Sequence, residues 1–174
     1  YNEEDVINIL IKYAQDSTAR KSLVIGIIRT LKNYPTEQSI GIILSKVNPK
    51  TPSIQTEAVD ALIHIAREMP LKEKDIIITK GELINTAKYA YEIIIALSQI
   101  EDSNNNKLLR YFLQNEVQKL IPVIMKLGIM DKPETQIETY IQYVQNNESD
   151  KLSYVIEFFE NIFSKYERKI VNSL

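Results

Sequence analysis

His64 is the single histidine of the chain and the residue best suited to acid–base or metal chemistry. Asp60 and Glu68 lie four residues before and after it, so a helix would place two carboxylates beside one imidazole. Such a group could bind a metal ion or act as a general base. A metal site needs further ligands, however, and the chain has no cysteine. We therefore interpret the group as a solvent-exposed polar face with weak ion pairs, and predict no metal, no cofactor and no catalytic residue.

Other acidic and glycine-containing stretches give no stronger indication of chemistry. The carboxylate pairs Glu3–Glu4 and Glu157–Glu160 fall on the outward arcs of predicted helices. Lys80-Gly81-Glu82 contains an isolated glycine, which we interpret as a helix start rather than a phosphate loop. The sequence therefore predicts a protein that is not an enzyme.

Ten tyrosines and no tryptophan raise the possibility of a stacking surface. Tyr89 and Tyr91 form one close pair, and Tyr140 and Tyr143 form another. In helical proteins, a tyrosine more often packs its ring at the edge of the core and keeps its hydroxyl in water. We favour that interpretation for both pairs.

Composition and charge exclude several classes of partner. The net charge is −2 and the pI is about 5.6, which gives no electrostatic basis for nonspecific nucleic-acid binding. The longest apolar run, Leu23–Ile28, is far shorter than the roughly 18 residues of a membrane span. Only four glycines occur, which favours helices over an all-β fold. We expect no nucleic-acid partner, no membrane insertion by this segment and a reducing compartment, since cysteine is absent.

Apolar residues recur at helical spacing between proline and polar breaks. Within this pattern Leu71–Lys80 has no clear assignment, and Glu101–Asn106 should be a mobile polar loop. Pro122 should kink or split the sixth helix at Ile121. The predicted helices are Glu3–Ala14, Ser17–Asn33 with Asp16 as its cap, Thr36–Val47, Pro52–Met69 after Thr51, Gly81–Ile100 and Lys107–Leu127.

The stretch Asp131–Phe163 is predicted to form two antiparallel helices joined at Gln145-Asn146-Asn147, with Asn147 as the second cap. Phe159 is at the middle of the apolar arc of the second helix and should contact the first helix and helix six. A last short helix is expected over Lys165–Leu174. The arc spans about 160° and contains Leu152, Val155, Ile156, Phe158, Phe159, Ile162 and Phe163.

Three stretches align without gaps, namely Asp16–Ile28, Thr51–Ile63 and Asn147–Phe159. Each has a capping residue, a long polar residue four positions later, and then an apolar helix. The first two begin 35 residues apart, within the range of two-helix repeats. The long polar residues are Arg20, Gln55 and Lys151.

This order of parts resembles HEAT repeats, in which a cap, an Arg four residues later and an apolar helix form the second helix. More narrowly, the chain from about Ser22 onward is similar to the soluble HEAT segment of bacterial membrane carriers of the ATP/ADP-translocase type. The shared features are two regular pairs, a long helical pair, Leu127-Gly128-Ile129 leading to Pro133, and the run Ile156–Ile162. Gln55 and Lys151 depart from the Arg of the repeat, so an Asp–Arg ladder between repeats is not expected.

The resemblance implies an all-α, HEAT-like (armadillo-like) α-α superhelix, or solenoid, of about four antiparallel helix pairs. Residues 1–174 would then be a single domain excised from a longer chain. The implied function is a non-catalytic scaffold or protein-interaction module, the cytoplasmic appendage of a membrane transporter-like protein tethered to the inner membrane through a preceding region. Its partner would be another protein or a neighbouring domain of the same chain.

Two alternatives belong to other classes. A HEAT-like nucleic-acid-binding or DNA-repair domain predicts a basic groove and a tryptophan, and this chain has neither a basic net charge nor a tryptophan. A soluble helical enzyme would need a distinctive carboxylate pair, and the sequence singles out none.

Overall fold

A computed structural model describes residues 3–16, 18–133, 136–146 and 151–163. Within these ranges the chain is all helical and contains no strand. The described ranges contain eight helices: α1 (Glu3–Gln15), α2 (Lys21–Leu31), α3 (Glu37–Leu44), α4 (Pro52–Glu68), α5 (Glu73–Gln99), α6 (Lys107–Gly128), α7 (Glu138–Gln145) and α8 (Leu152–Ile162). The predicted all-α class is confirmed.

The chain divides into two compact units. The first unit comprises Tyr1–Glu82 with Met130–Glu134, and the second comprises Leu83–Ile129 with Thr135–Leu174. The boundary falls inside α5, after Glu82. Both the expectation of a single domain over residues 1–174 and that of a superhelical arrangement stay predictions.

In the first unit, α4 packs against α2 and α3, and α1 packs against the same two helices. The Nζ of Lys21 donates to the Oγ of Ser53 at 2.7 Å, which links the start of α2 to the start of α4. Burial on the inward faces supplies most of the stabilisation, because each fully buried aliphatic side chain contributes about 1.5–3 kcal/mol. The fully buried residues of this core with the largest side chains are Ile28, Leu31, Ile43, Leu62 and Ile65.

The start of α2 differs from the prediction. Asp16 does not cap it; its carboxylate accepts hydrogen bonds from the hydroxyl (2.7 Å) and backbone N–H (2.8 Å) of Thr18. These two bonds favour the ionised form and lower the pKa of Asp16 below its ordinary value. The helix begins four residues later than predicted, at Lys21, after Arg20 in an extended conformation. The predicted first residue, Ser17, lies outside the described residues.

The starts of α3 and α4 agree with the prediction, although the side chain of Thr51 makes no capping hydrogen bond to α4. Thr36 accepts a hydrogen bond from the N–H of Ser39 at 3.1 Å, which satisfies one of the free donors of the first turn of α3. Pro52 occupies the first turn of α4, where its missing N–H costs nothing. The bounds of α1 and α4 are confirmed to within one residue, whereas α3 ends at Leu44, three residues before the predicted end.

The fifth helix is longer than predicted, because it begins at Glu73 and runs without a break through Gly81. The expectation of a helix start at Gly81 was wrong. One glycine costs a helix only about 1 kcal/mol, which does not end a helix of 27 residues. Thr79, which is fully buried, donates its hydroxyl to the carbonyl of Ile76 at 2.8 Å, so the polar side chain does not interrupt the helix.

Pro122 does not split α6, which is one helix from Lys107 to Gly128. Proline removes a backbone donor and crowds the preceding turn, at a cost of about 3 kcal/mol. Burial on both sides of the proline offsets that cost. The buried residues are Leu120, Val123, Ile124, Met125 and Leu127.

The carboxyl-terminal hairpin is confirmed, although α7 is short, starting only at Glu138. Tyr140 of α7 stacks on Phe158 of α8, and Tyr143 shares a cavity with Tyr154. The later residue of α7 meets the earlier residue of α8, so the two helices are antiparallel. Phe158 and Phe163 are buried as predicted. The predicted cap Asn147, the helix over Lys165–Leu174 and the side chains of Leu152, Val155, Phe159 and Ile162 lie outside the described residues.

Ile156 is 56% exposed, which corrects its place in the buried arc. The exposure of Ile156 agrees with the alignment of the three repeat stretches. Ile156 aligns with Asp60, and Asp60 is also exposed. Two positions later, Phe158 aligns with Leu62 and Ile27, and all three are buried. The repeat frame thus indicates the inward positions better than the hydrophobicity of this helix alone.

Candidate interaction surface

His64 lies on an exposed face of α4. Its Nε2 is 3.4 Å from the Oε1 of Glu68, one turn away, and both side chains are solvent-accessible. Among the residues that the structure describes, no group of three or more His, Asp or Glu side chains could hold a metal ion. The geometry is that of a surface ion pair one helical turn long.

Two further polar residues of α4 make contacts with other parts of the first unit. Glu57 forms an ion pair of 2.8 Å with the Nη2 of Arg29 in α2, and this carboxylate raises the pKa of Arg29. Arg67 donates its Nε–H to the carbonyl of Pro133 at 2.8 Å. Glu57 therefore links α4 to α2, and Arg67 links it to the backbone at Pro133.

Arg67 also borders a cavity of about 590 Å³ in the first unit. Asp131 lies on the same wall, 3.2 Å from the Nζ of Lys80. The remaining lining is mainly apolar, consisting of Ala66, Pro70, Leu71, Ile76, Met130 and Pro133. Sequence reasoning missed this cleft, because Met130–Pro133 lies more than 50 residues from the other lining residues along the chain.

The tyrosines of α7 form an aromatic cluster with α8. The rings of Tyr140 and Tyr143 meet edge to face with centroids 6.3 Å apart, and Tyr140 stacks on Phe158 at 4.2 Å. An open cavity of about 440 Å³ lies beside them, also lined by Gln136, Thr139, Lys151 and Tyr154. Tyr140 and Tyr143 are half-buried. Their placement is that of rings packed at the edge of a core, as favoured from the sequence, whereas Tyr91 of the other pair is 42% exposed.

The amino-terminal half of α6 carries an exposed apolar surface that was not predicted from the sequence. No residue from Lys107 to Lys119, all of which the structure describes, is buried. Four large apolar side chains stand exposed in two turns of helix, and we call them the α6 patch. They are Leu108 (80% exposed), Leu109 (50%), Tyr111 (67%) and Phe112 (59%).

Arg110 explains why the α6 patch faces solvent. Its Nη1 donates to the carbonyls of Leu97 and Ile100, at 3.2 and 2.6 Å, and so binds α6 to the carboxyl end of α5. At 100° per residue, Arg110 projects about 180° from the mean direction of the patch. The side of α6 that touches α5 is therefore opposite the side that carries the patch.

A signal for the patch is present in the sequence. On a helical wheel, the four patch residues and the five buried residues of the carboxyl-terminal half point in mean directions about 100° apart. In a helix with a single inward face, the apolar residues of both halves point in the same mean direction. The rotation inside α6 indicates two separate apolar faces, one for the core and one that the second unit does not cover.

The described part of the chain is all helical and carries a local exposed apolar face on α6. No helix in the described part of the chain is both long enough and apolar enough to cross a membrane. No protein-family model, curated protein or solved structure matches the chain.

Proposed function

We propose that this protein is a non-catalytic helical-repeat scaffold that binds a protein partner, or a neighbouring part of its own full chain, through helix surfaces. The observation that supports the proposal is the α6 patch. Its four side chains expose on the order of 500 Å² in one contiguous area. That is within the range of the largest patches on soluble monomers, and such patches are often functional.

The arrangement of polar residues around the patch fits a protein partner. Lys107, Gln114, Gln118 and Lys119 are exposed beside or beyond it, and no charge lies between Leu108 and Phe112 except Arg110, which faces α5. An apolar, aromatic centre with a polar rim is the usual composition of a protein–protein interface. Tyrosine is one of the residue types that contribute most binding energy at interfaces, and phenylalanine is enriched there.

The shape of the patch also favours a macromolecule over a small ligand. Small molecules bind in concave sites that cover most of their surface. The α6 patch is the side of a helix, so only a partner with its own complementary surface can bury it. A nucleic acid would need many phosphate contacts, and the net charge of the chain is −2.

The resemblance to HEAT segments extends the proposal. It supports a scaffold that is the cytoplasmic appendage of a membrane transporter-like protein, attached through a region that precedes Tyr1 in the full gene product. Reading the gene upstream of the Tyr1 codon tests this part. About a dozen hydrophobic spans would support it, and a short or polar upstream region would refute it.

A photo-crosslinking residue placed at Phe112 tests the interaction in cells that express the natural protein. We expect adducts with one distinct protein or with this chain itself. The control position is Ile77 in α5, which is 63% exposed compared with 59% for Phe112 and therefore reports random collisions. Equal labelling from both positions, or no protein adduct from Phe112, would refute a binding role for the patch.

A further inference from the structure

We propose that the cavity bordered by Arg67, which we call the Arg67 cavity, is a binding site for a small apolar molecule that carries one acidic group. The cavity lies in the first unit and the α6 patch in the second, so this inference goes beyond the proposed function and does not depend on it. Three observations support it: the size of the cavity, the distribution of apolar and charged residues along its wall, and the segment that forms one of its sides.

The size of the Arg67 cavity is that of a small-molecule site. Its volume is about 590 Å³, within the roughly 300–1,000 Å³ of ligand pockets in proteins. Voids larger than one water molecule, which takes about 30 Å³ of liquid volume, are few in close-packed interiors. The cavity is therefore too large to be a packing defect and has room for a small organic molecule.

The wall of the cavity changes from buried and apolar to exposed and charged. Ala66, Leu71 and Met130 are only 6%, 8% and 2% exposed, whereas Arg67 and Asp131 are exposed to solvent. A ligand would therefore place its apolar part against the buried residues and its polar group at the exposed edge. Met130 suits such a wall, because its flexible thioether side chain adapts to the shape of a ligand.

The charged residues at the exposed edge favour an acidic ligand over a basic one. The carboxylate of Asp131 is 3.2 Å from the Nζ of Lys80, so its charge is already paired. Arg67 donates its Nε–H to the carbonyl of Pro133 at 2.8 Å. That bond orients the guanidinium without neutralising it, because a carbonyl carries no net charge. A guanidinium has its N–H donors in one plane and binds a carboxylate through two parallel hydrogen bonds, so we expect Arg67 to contact the acidic group.

The segment Met130–Pro133 forms one side of the cavity and should respond to a ligand. Residues 130–134 belong to the first unit, whereas the chain on both sides of them belongs to the second. Lys80 holds the segment through Asp131, and Arg67 holds it through Pro133. A ligand that contacts Met130 and Arg67 together stabilises the bound arrangement. Ligand binding should therefore slow hydrogen exchange in this segment.

Octanoate is the probe for the cavity, and the methionine methyl groups report where it binds. The chain has three methionines. Met130 lines the cavity, whereas Met125 is fully buried in α6 and does not line it. In nuclear magnetic resonance spectra of the methyl-labelled chain, we expect octanoate to shift the Met130 signal to saturation and to leave Met125 unchanged. Met130→Leu identifies the signal.

The charge of the probe tests the class of ligand. Octylammonium has the same chain length and the opposite charge, and it should bind at least about tenfold more weakly than octanoate. An unchanged Met130 signal, equal shifts of Met130 and Met125, or equal affinity for the two probes would overturn the inference.

Arg67→Gln tests the contact to the acidic group, because it removes the positive charge and keeps a polar side chain. We expect the affinity for octanoate to fall at least about tenfold. The affinity for octanol, which has the same chain and no charge, should change less than about twofold, and that value shows that the cavity is intact. Arg29→Gln is the matched control, since it removes the same charge from an exposed guanidinium of α2 in the same unit, and it should leave octanoate binding unchanged. Equal weakening by both variants, or equal loss of octanoate and octanol in Arg67→Gln, would overturn the role of Arg67.

Discussion

The helix α4 and the amino-terminal half of α6 have similar apolar content but opposite environments. In α4 the apolar residues Ala58, Val59 and Leu62 are all fully buried. In the first half of α6, residues of the same hydrophobic character are exposed. Helical periodicity is present in both, so periodicity alone indicates that a face is apolar and not whether the same chain covers it. The difference is set by neighbours, since α4 packs against α2 and α3, while the patch faces away from α5.

Leucine-to-alanine substitutions in the two helices should show the largest contrast. Leu62→Ala removes a fully buried side chain and should lower the free energy of unfolding by about 2–5 kcal/mol. Leu108→Ala, at 80% exposure, should change it by less than about 0.5 kcal/mol. Chemical denaturation measures both. Equal costs would mean that Leu108 is buried in the folded chain and that the comparison is mistaken.

Glycine-to-alanine substitutions compare a closely packed position at the end of α6 with a position in α5 that has free space around it. A Cβ at Gly128 would lie 2.6 Å from the Cζ of the buried Phe163, so that ring would have to move. We expect Gly128→Ala to cost about 1–3 kcal/mol. The control is Gly81→Ala in α5, where a Cβ meets nothing within 4 Å. It should stabilise the chain by about 0.5–1 kcal/mol through helix propensity. Thermal unfolding of the two variants should therefore shift in opposite directions.

Arg110 links the exposed half of α6 to α5, and its removal tests what holds that half in place. Arg110→Ala would lose two hydrogen bonds from the guanidinium to carbonyls at the end of α5. We expect a cost of about 1 kcal/mol, because the side chain is partly exposed and water can replace some of these bonds. Hydrogen exchange should accelerate most in the loop Glu101–Asn106 and the first turns of α6. Lys107→Ala is the control on the same helix and should leave exchange unchanged; equal acceleration in both variants would contradict the role of Arg110.

The parts of the fold that the sequence predicted are those governed by local rules. Thr36, Pro52 and the polar break before Lys107 fixed helix starts to within one residue, since caps and prolines act over one turn. The helix start expected at Gly81 and the split expected at Pro122 were wrong for a common reason. Each disfavours a helix locally, but the cost of one residue is smaller than the stabilisation from the packed residues on either side.

The candidate interaction surfaces were less predictable, because they depend on contacts between residues that are distant in the sequence. The exposure of Ile156 could have been read from its alignment with Asp60, and the α6 patch from the rotation of the apolar direction within the helix. The cleft beside Arg67 had no comparable signal. It depends on Met130–Pro133 lying near the end of α4, a contact that neither periodicity nor capping residues indicate.

Substitution of His64 should have the smallest effect on the free energy of unfolding, and it compares the polar side of α4 with the packed side. The imidazole and Glu68 are 3.4 Å apart and solvent-accessible, so their attraction is screened and offset by lost side-chain freedom. His64→Ala should change the free energy of unfolding by about 0.5 kcal/mol or less, and calorimetric titration with Zn²⁺ should give the same result before and after the substitution. Glu57→Gln is the informative companion, because Glu57 faces Arg29 in α2 at 2.8 Å and its loss removes the ion pair that raises the pKa of Arg29. A larger destabilisation for Glu57→Gln than for His64→Ala would show that the polar side of α4 contributes to stability mainly through the ion pair with α2. If His64→Ala proved the more damaging of the two, or abolished Zn²⁺ binding, the imidazole would have a role that its exposed position on α4 does not explain.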